Sequence, residues 1–419
     1  MKIAIVGSGI AGLGCAWFLH RRHEVTMFEA DDRIGGHSHT VMVDENGASI
    51  PIDTGFMVYN EVTYPHLTRL FRELNLPTKR TAMSFSVHHG PSGVEWNGGG
   101  LSQLFAQRKN LLKLRHWRFL LQLKRFNAEA VPALEEPKWE SMSLREYVAA
   151  RGYGQDFLER YLIPMSSAVW STPPEKMLDF PATTLLRFWH NHGFLGLNTQ
   201  HPWRTVVGGS RQYVERLIEP FRDRVFTSTP VHSVRRAPNR VTLASPRGEE
   251  VYDRVIFASH APTSLRMLSD PTPLETQILS CFAYQPNDVR LHTDARVMPH
   301  SKRCWASWNY RSEGDTATTH YWMNSLQAVS ERQNYFVSLN SADQLDSRAC
   351  LRELNYEHPL FDRAAIAAQK RLPELLNAGR ETATFFCGAW TRYGFHEDGL
   401  LSAVNVAGNL LGGDPWTLR

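Results

Sequence analysis

The sequence of 419 residues is short of several things, and each shortage removes a class of protein. It holds five cysteines, at positions 15, 281, 304, 350 and 387, with no Cys-x-x-Cys pair. An odd, scattered set is no disulfide framework, so a reducing cytoplasm is the expected setting. No stretch approaches the roughly 18 to 20 uninterrupted apolar residues that a membrane-spanning helix needs, so any membrane contact has to be peripheral. Charge of one sign is also scarce: 46 basic residues against 42 acidic ones leave a net +4. That balance argues against a nucleic-acid-binding stripe. With 42% hydrophobic, 11% aromatic and 21% charged residues, the composition indicates neither disorder nor a fibrous repeat. What remains is a folded globular chain long enough for two interleaved domains, each with its own core.

The opening residues are informative. Lys2 before an apolar run imitates a signal peptide, but Gly7, Gly9, Gly12 and Gly14 interrupt that run at meaningful spacings. Lys2 to Gly7 reads as a buried parallel strand and Ala11 to His20 as a helix, with Gly7-Ser-Gly9-Ile-Ala-Gly12 at the junction. Gly7 permits the tight turn, Gly9 lets backbone approach a pyrophosphate, and Gly12 allows the helix to pack close to the strand. The helix N-terminus, at Ile10 and Ala11, then faces the phosphates. His23 to Glu29 predicts a second strand ending in a carboxylate that can hydrogen-bond ribose hydroxyls and would repel a 2′-phosphate. A glycine turn alone is a weak signal. In this strand, turn, helix, strand and Glu order it points to dinucleotide binding, without separating FAD from NAD.

The next residues separate them. In Ala30-Asp-Asp-Arg33-Ile-Gly35-Gly36-His37-Ser38, paired glycines and an arginine can curl N–H groups and a cation around a second phosphate face. This string resembles the RxGG continuation of the flavin-containing amine oxidase and phytoene-desaturase-like superfamily. Further segments are similar to that superfamily in the expected order. Ile52-Asp-Thr54-Gly55-Phe56 resembles the stretch that passes beside the flavin ring. Trp203 to Ser210, with Gly208-Gly209 and a following helical pattern from Gln212 to Ile218, resembles the second glycine-pair motif. Val231 would bring its backbone near the adenine, and Asp253 to Pro262 looks like the strand returning to the FAD domain. Thr384 to Gly399, followed by a helical pattern from Leu400 to Leu411, resembles the C-terminal flavin-binding signature and implies contacts from Gly388, Asp398, Gly399 and Leu400. The Gly-Phe-His-Glu-Asp-Gly and Phe-Trp-His-Asn-His-Gly strings resemble a bacterial branch linked to modified fatty acids, including cyclopropane-type and furan-type lipids.

The resemblance implies an amine-oxidase-like α/β fold: a three-layer, Rossmann-type FAD-binding domain on a parallel sheet, with an inserted α+β substrate domain. Motif order puts the FAD-binding pieces at 1–95, 204–265 and 378–419, and the substrate domain at 96–203 and 266–377. It also implies noncovalent FAD and hydride removal from an apolar, lipid-like substrate, which the protein aligns against flavin N5. Amine oxidation is the alternative, and a non-redox flavoprotein, either an isomerase or a lipid-presenting partner subunit, is a second one. The electron acceptor is left open.

Other residues admit two readings. Arg108 to Phe126 spaces Leu112, Phe119, Leu123 and Phe126 for one helix face among many basic residues. That is a membrane-surface or acyl-carrier-facing helix, or a solvated basic face over an ordinary core. In the second insert, alternating runs around Val289, Ala306 and Tyr335 predict antiparallel strands, and Trp305, Trp308, Tyr310, Tyr321 and Trp322 are either an apolar substrate wall or core. The pairs His37/His39, His88/His89 and His190/His192 lack a matching Cys or carboxylate at ligand spacing, so no metal site is expected. His396 and Glu397 are candidates for proton handling or for packing. Lys302 is the candidate lysine of amine-oxidase chemistry but sits in a Ser-Lys-Arg stretch that favours the surface. Cys387 invites a covalent-flavin reading but lies in an apolar strand that favours burial. Asp398 is expected to cap the last long helix, whose N-terminal dipole would favour negative charge on the flavin.

Overall fold

The computed structural model describes residues 1–196, 199–238, 240–314 and 316–418. Five strands form an all-parallel sheet in the spatial order Val225–Phe226, Glu24–Phe28, Lys2–Val6, Arg254–Phe257, Thr384–Phe386. The Lys2–Val6 strand is central, and after Lys2 every one of its residues is buried, as a parallel strand covered on both faces requires. The helix Ile10–Leu19 follows at once, with nine of its ten residues buried. A helix apolar all round must be covered all round, and the C-terminal helix His396–Leu411 covers it. A Cβ at Gly14 would come within 2.9 Å of both Ala403 and Leu400, so the absent side chain sets how near the two helices lie.

A seven-stranded mixed sheet runs in the order 350–360, 283–292, 336–339, 316–322, 308–313, 85–89, 94–97. It contains the predicted antiparallel strands. It also takes Phe85–His89 parallel to Trp308–Glu313, with Val94–Asn97 at its edge. The boundary expected near residue 95 therefore falls inside this sheet, because strand pairing joins segments more than 200 residues apart and no local signal marks it. A short antiparallel trio, 59–60, 203–206 and 78–81, and a hairpin of 40–45 with 48–53 lie between the two large sheets in sequence. Residues 101–191 are helical in the main.

The helix expected from 108 begins later. Arg108–Leu112 is a 3-10 turn, and the α-helix spans Leu114–Ala133. Phe119 and Phe126 are buried as the spacing predicts, whereas Leu112 lies outside the helix and points to solvent. Among the described residues no helix is long and apolar enough to cross a membrane.

Candidate active site

A cavity of about 480 Å³ lies against the end of the parallel sheet, within the roughly 300–1,000 Å³ range of small-molecule sites. One end is made by the Gly7-Ser8-Gly9 turn, the first residues of the following helix, Glu29 and Gly36. Gly7 has φ +103°, which side-chain-bearing residues rarely adopt, and a Cβ there would sit 2.8 Å from the Ala258 carbonyl oxygen. A Cβ on Gly12 would lie 2.0 Å from the Gly7 carbonyl oxygen, so helix and strand meet only because it is absent. Gly9 is different: a Cβ there meets no chain atom within 4 Å, yet Gly9 lines the cavity. The free space beside it is on the ligand side.

Glu29 is held ready by the loop it faces. One carboxylate oxygen accepts from the Ser8 N–H at 2.8 Å and the Ser8 hydroxyl at 2.5 Å, and the other accepts from the Asp31 N–H at 3.0 Å. Ser8 in turn takes the Gly35 N–H on its hydroxyl at 3.1 Å. Nothing in the sequence marks Ser8, the non-glycine inside the motif, for this role. Among the described residues no lysine or arginine lines the cavity. Arg33, expected at a phosphate, donates from Nη1 to the Gly36 carbonyl at 2.7 Å and braces that turn. The anion-binding power of this end rests on backbone N–H groups at the start of a buried helix, which suffices for a phosphate.

Of the other expected contact residues, Ile10, Ala11, His37, Gly55, Phe56, Gly388 and His396 line the cavity. Ala30, Thr54, Val231, Asp398, Gly399 and Leu400 do not. Ala30 is exposed. Thr54 is buried and bonded to Tyr356 Oη at 2.7 Å. Val231 packs into the core beyond the sheet. Gly399 is the close-packing point of the final helix on Ile10, and Leu400 is core.

Asp398 is not the helix cap. The helix starts at His396, and Asp398, in its first turn, accepts from the N–H groups of Phe395 at 2.9 Å and Tyr393 at 3.2 Å. Glu397 reaches across to another helix, Pro65–Glu73, and accepts from the His66 and Leu67 N–H groups at 3.0 and 2.9 Å. Burial raises Glu397 from 4.5 to about 7 and Asp398 from 3.8 to about 6, against the pull of those N–H groups. A raised folded-state value means that their stabilising effect is full below the ordinary carboxylate range and is lost as pH rises through about 6 to 7. The melting temperature is expected to fall between about pH 5 and about pH 8, and Glu397→Gln to flatten that slope by on the order of 2 kcal/mol. A variant as pH-sensitive as wild type in thermal melts would remove Glu397 from this role.

His396 stacks on Phe56, with ring centroids 3.8 Å apart, and its Nε2 lies 2.8 Å from Ser38 Oγ and 3.1 Å from Tyr213 Oη. Burial lowers its pKa to about 3, that of His192 to about 4 and that of His358 to about 4. His37 is also pushed well down, first by burial and then by His358. These cavity imidazoles are neutral near pH 7, so none supplies a positive charge.

The far end of the cavity is aromatic. Tyr64, Trp170, Phe188, Trp203, Trp308 and Phe395 are among its walls. Of the five aromatics expected here, Trp308 and Tyr321 line it, while Trp305 and Trp322 pack with Phe336 and Tyr310 is core. The carboxylates that line the cavity are Glu29 and Asp31 at the glycine end and Glu357, whose partner is His260 at 3.0 Å. Lys302 is exposed and lines no part of it. Cys387 is fully buried against Cys15, Sγ to Sγ 3.7 Å, and no cysteine lines the cavity among the described residues.

The histidine pairs separate in space. His37 and His192 line the cavity. His88 meets Glu95 and His300, with all three ligand atoms within 4.8 Å of one another, so a carboxylate does accompany one pair once the chain is folded. Glu95 is engaged there by backbone, accepting from His300 N at 2.7 Å and Ser301 N at 3.0 Å.

A glycine turn opening a buried helix, an acid at the end of the second parallel strand, and a second sheet beside an aromatic cavity are the parts of a dinucleotide-binding site with a neighbouring apolar chamber. The chain belongs to the flavin containing amine oxidoreductase family, whose model matches residues 10–344. Flavin-containing amine oxidase B of Sus scrofa is 24% identical over 315 residues, 70% of this chain. The chain spans 58% of that enzyme's length. Among solved structures, cyclohexylamine oxidase from Brevibacterium oxydans has a TM-score of 0.67 at 16% identity, with 98% of each chain covered. A fatty acid isomerase from P. acnes that produces CLA has a TM-score of 0.67 at 14% identity, with 96% of each covered. The fold is therefore amine-oxidase-like, and the family implies a flavin. The open side of Gly9, the N–H groups of the first helix and the acid at Glu29 fit that group.

Proposed function

We propose that the chain is a flavoenzyme that binds FAD noncovalently and dehydrogenates a neutral, apolar, lipid-like substrate. The observation that carries this reading is the far end of the cavity, walled by aromatic rings with no lysine, arginine or unpaired carboxylate among the described residues. When bound, FAD supplies a two-electron hydride acceptor. The parallel-sheet region, with Gly7, Gly9, Ile10, Ala11, Glu29 and Gly36, is assigned to the dinucleotide. The seven-stranded sheet and the helical segment are assigned to the substrate. There the rings exclude water and align a carbon chain, since such a substrate offers few polar groups to bind. His396, neutral and held by Ser38 and Tyr213, positions Phe56 rather than carrying a proton. That no cysteine lines the cavity among the described residues supports noncovalent binding.

The relatives named as amine oxidases favour a second reading, amine oxidation. Acid precipitation of purified protein is expected to release all of the flavin as FAD, identified by chromatography. Anaerobic bleaching is then expected with esters of long-chain unsaturated fatty acids and not with primary amines. Lys302→Met is expected to leave turnover within about two-fold, as for a surface change away from any site. Flavin that stays with the precipitate would overturn noncovalent binding. Bleaching by amines alone would replace the lipid reading with the second one. Double-bond migration without net bleaching would make the chain an isomerase.

A further inference from the structure

The segment that follows the seven-stranded sheet has an exposed surface that solvent does not explain. Between Glu95 and Glu129 the chain has no acidic residue and seven basic ones. In the same stretch Leu101, Leu112, Leu114 and Leu121 are 73%, 91%, 75% and 63% exposed, with Leu111 and Trp117 each 44% exposed. Half of the twelve exposed large hydrophobics among the described residues are thus gathered in 21 consecutive positions, 101 to 121. The helix Leu114–Ala133 already has an apolar inner face in Phe119, Phe126, Ala130 and Ala133. Its outer face should then be polar. Instead Leu114, Trp117 and Leu121 follow one another at spacings of three and four on that outer face, with Arg118 and Lys124 between and beyond them.

The leucines before the helix are fixed in place. Trp117 Nε1 donates to the Leu111 carbonyl at 2.9 Å, its ring packs 5.2 Å from Phe105, and Arg115 holds both oxygens of Asp156 at 2.6 and 2.7 Å. Arg115 and Arg125 have carboxylate partners, whereas Arg108, Lys109, Lys113, Arg118 and Lys124 form no ion pair among the described residues. Exposed leucines and a tryptophan, rimmed by cations and with no acid in the segment itself, match the interface of an anionic bilayer: the apolar groups enter the acyl boundary while the cations meet headgroup phosphates.

We propose that residues 101–125 dock the protein peripherally on anionic membranes, with Leu112 and Leu114 inserted and Lys109, Lys113 and Arg118 at the headgroups. The proposal goes beyond the reading of the cavity and is measured separately from it. Flavin-loaded protein is mixed with vesicles of phosphatidylcholine alone or with added phosphatidylglycerol, and sedimentation is followed at rising salt. Binding is expected only to the anionic vesicles and is expected to weaken with salt. Lys109→Glu and Lys113→Glu should each lower partitioning by roughly five-fold or more, and L112E with L114E should abolish it. These residues are exposed, so flavin content and turnover of a detergent-dispersed substrate should stay at wild-type values in every variant. Wild-type protein that fails to sediment with anionic vesicles at low salt would overturn the proposal. Undiminished binding by the charge and leucine variants would overturn it too, by moving the contact elsewhere. Retention on an acidic carrier protein without vesicle binding would assign the patch to a protein partner and equally overturn it.

Discussion

Gly9→Asp is expected to fold normally and to purify without flavin, with affinity lowered by at least about 100-fold, or about 2.7 kcal/mol. Gly9 caps the first helix with φ −66° and ψ 178°, an extended conformation open to any residue, and aspartate is a favoured residue at that position. Its side chain would meet no chain atom near Cβ and would project into the cavity. There it puts a negative charge and added bulk where a pyrophosphate has to approach the helix N-terminus. The neighbouring glycines make poor probes by comparison. Gly12→Ala would drive a Cβ to 2.0 Å from the Gly7 carbonyl oxygen and is expected to damage the fold itself. Circular dichroism and flavin absorbance together tell the two apart. Full flavin loading of well-folded Gly9→Asp would reduce the glycine loop to a turn and remove the dinucleotide site from this end of the cavity.

Asp53→Ala is expected to cost roughly 3 kcal/mol or more in unfolding free energy and to lower flavin occupancy with it. The carboxylate is buried and accepts from Thr40 Oγ1 at 2.6 Å, Ser210 N at 2.9 Å, Ser210 Oγ at 2.8 Å and Gln327 Nε2 at 2.6 Å. These partners come from the 40–53 hairpin, the glycine-pair turn before the helix Arg211–Ile218, and the short helix Met323–Gln327. Burial raises its pKa, and the four donors oppose that shift. Alanine would leave the Ser210 N–H buried without an acceptor and the Gln327 amide with Thr205 Oγ1 alone at 3.1 Å, and each lost bond of this kind costs about 1–3 kcal/mol. The residues next to Asp53 are Thr54, Gly55 and Phe56, so slack here reaches the cavity wall directly. Asp53→Asn, which keeps one acceptor oxygen, should lose less than alanine. Denaturant unfolding of the three proteins measures the effect, and equal midpoints would show that Asp53 ties nothing together.

The glycine loop and its acid could be read from the sequence because their chemistry is local. Gly7 and Gly12 each answer to an atom within a few residues or beside the adjoining strand, Gly9 answers to the open cavity, and Glu29 ends a strand whose length is visible in the chain. Arg33 was legible as a cation near a phosphate turn, but not the hydrogen bond that turns it back onto Gly36. Asp398 was legible as an N-terminal helix acid, but its place in the first turn, and the reach of Glu397 to a different helix, depend on backbone geometry. Asp53 carried a signal that could have been used: a lone acid in an otherwise apolar strand, just before Thr-Gly, needs buried partners. The aromatic wall was legible only in Trp308 and Tyr321, each open to a core reading as well. Tyr64, Trp170, Phe188, Trp203, Trp308 and Phe395 come from six separate segments, and an aromatic residue looks the same in the sequence whether it faces a core or a cavity.

The sequence by itself determined the parallel-sheet core, the dinucleotide loop and the order of the family motifs, because short-range sterics and hydrophobic periodicity act between residues close along the chain. Only the tertiary structure decided that Phe85–His89 joins the second sheet and that Leu112 and Leu114 face outward beside a run of cations. Those outcomes depend on packing between segments hundreds of residues apart, which sets what each side chain finally meets.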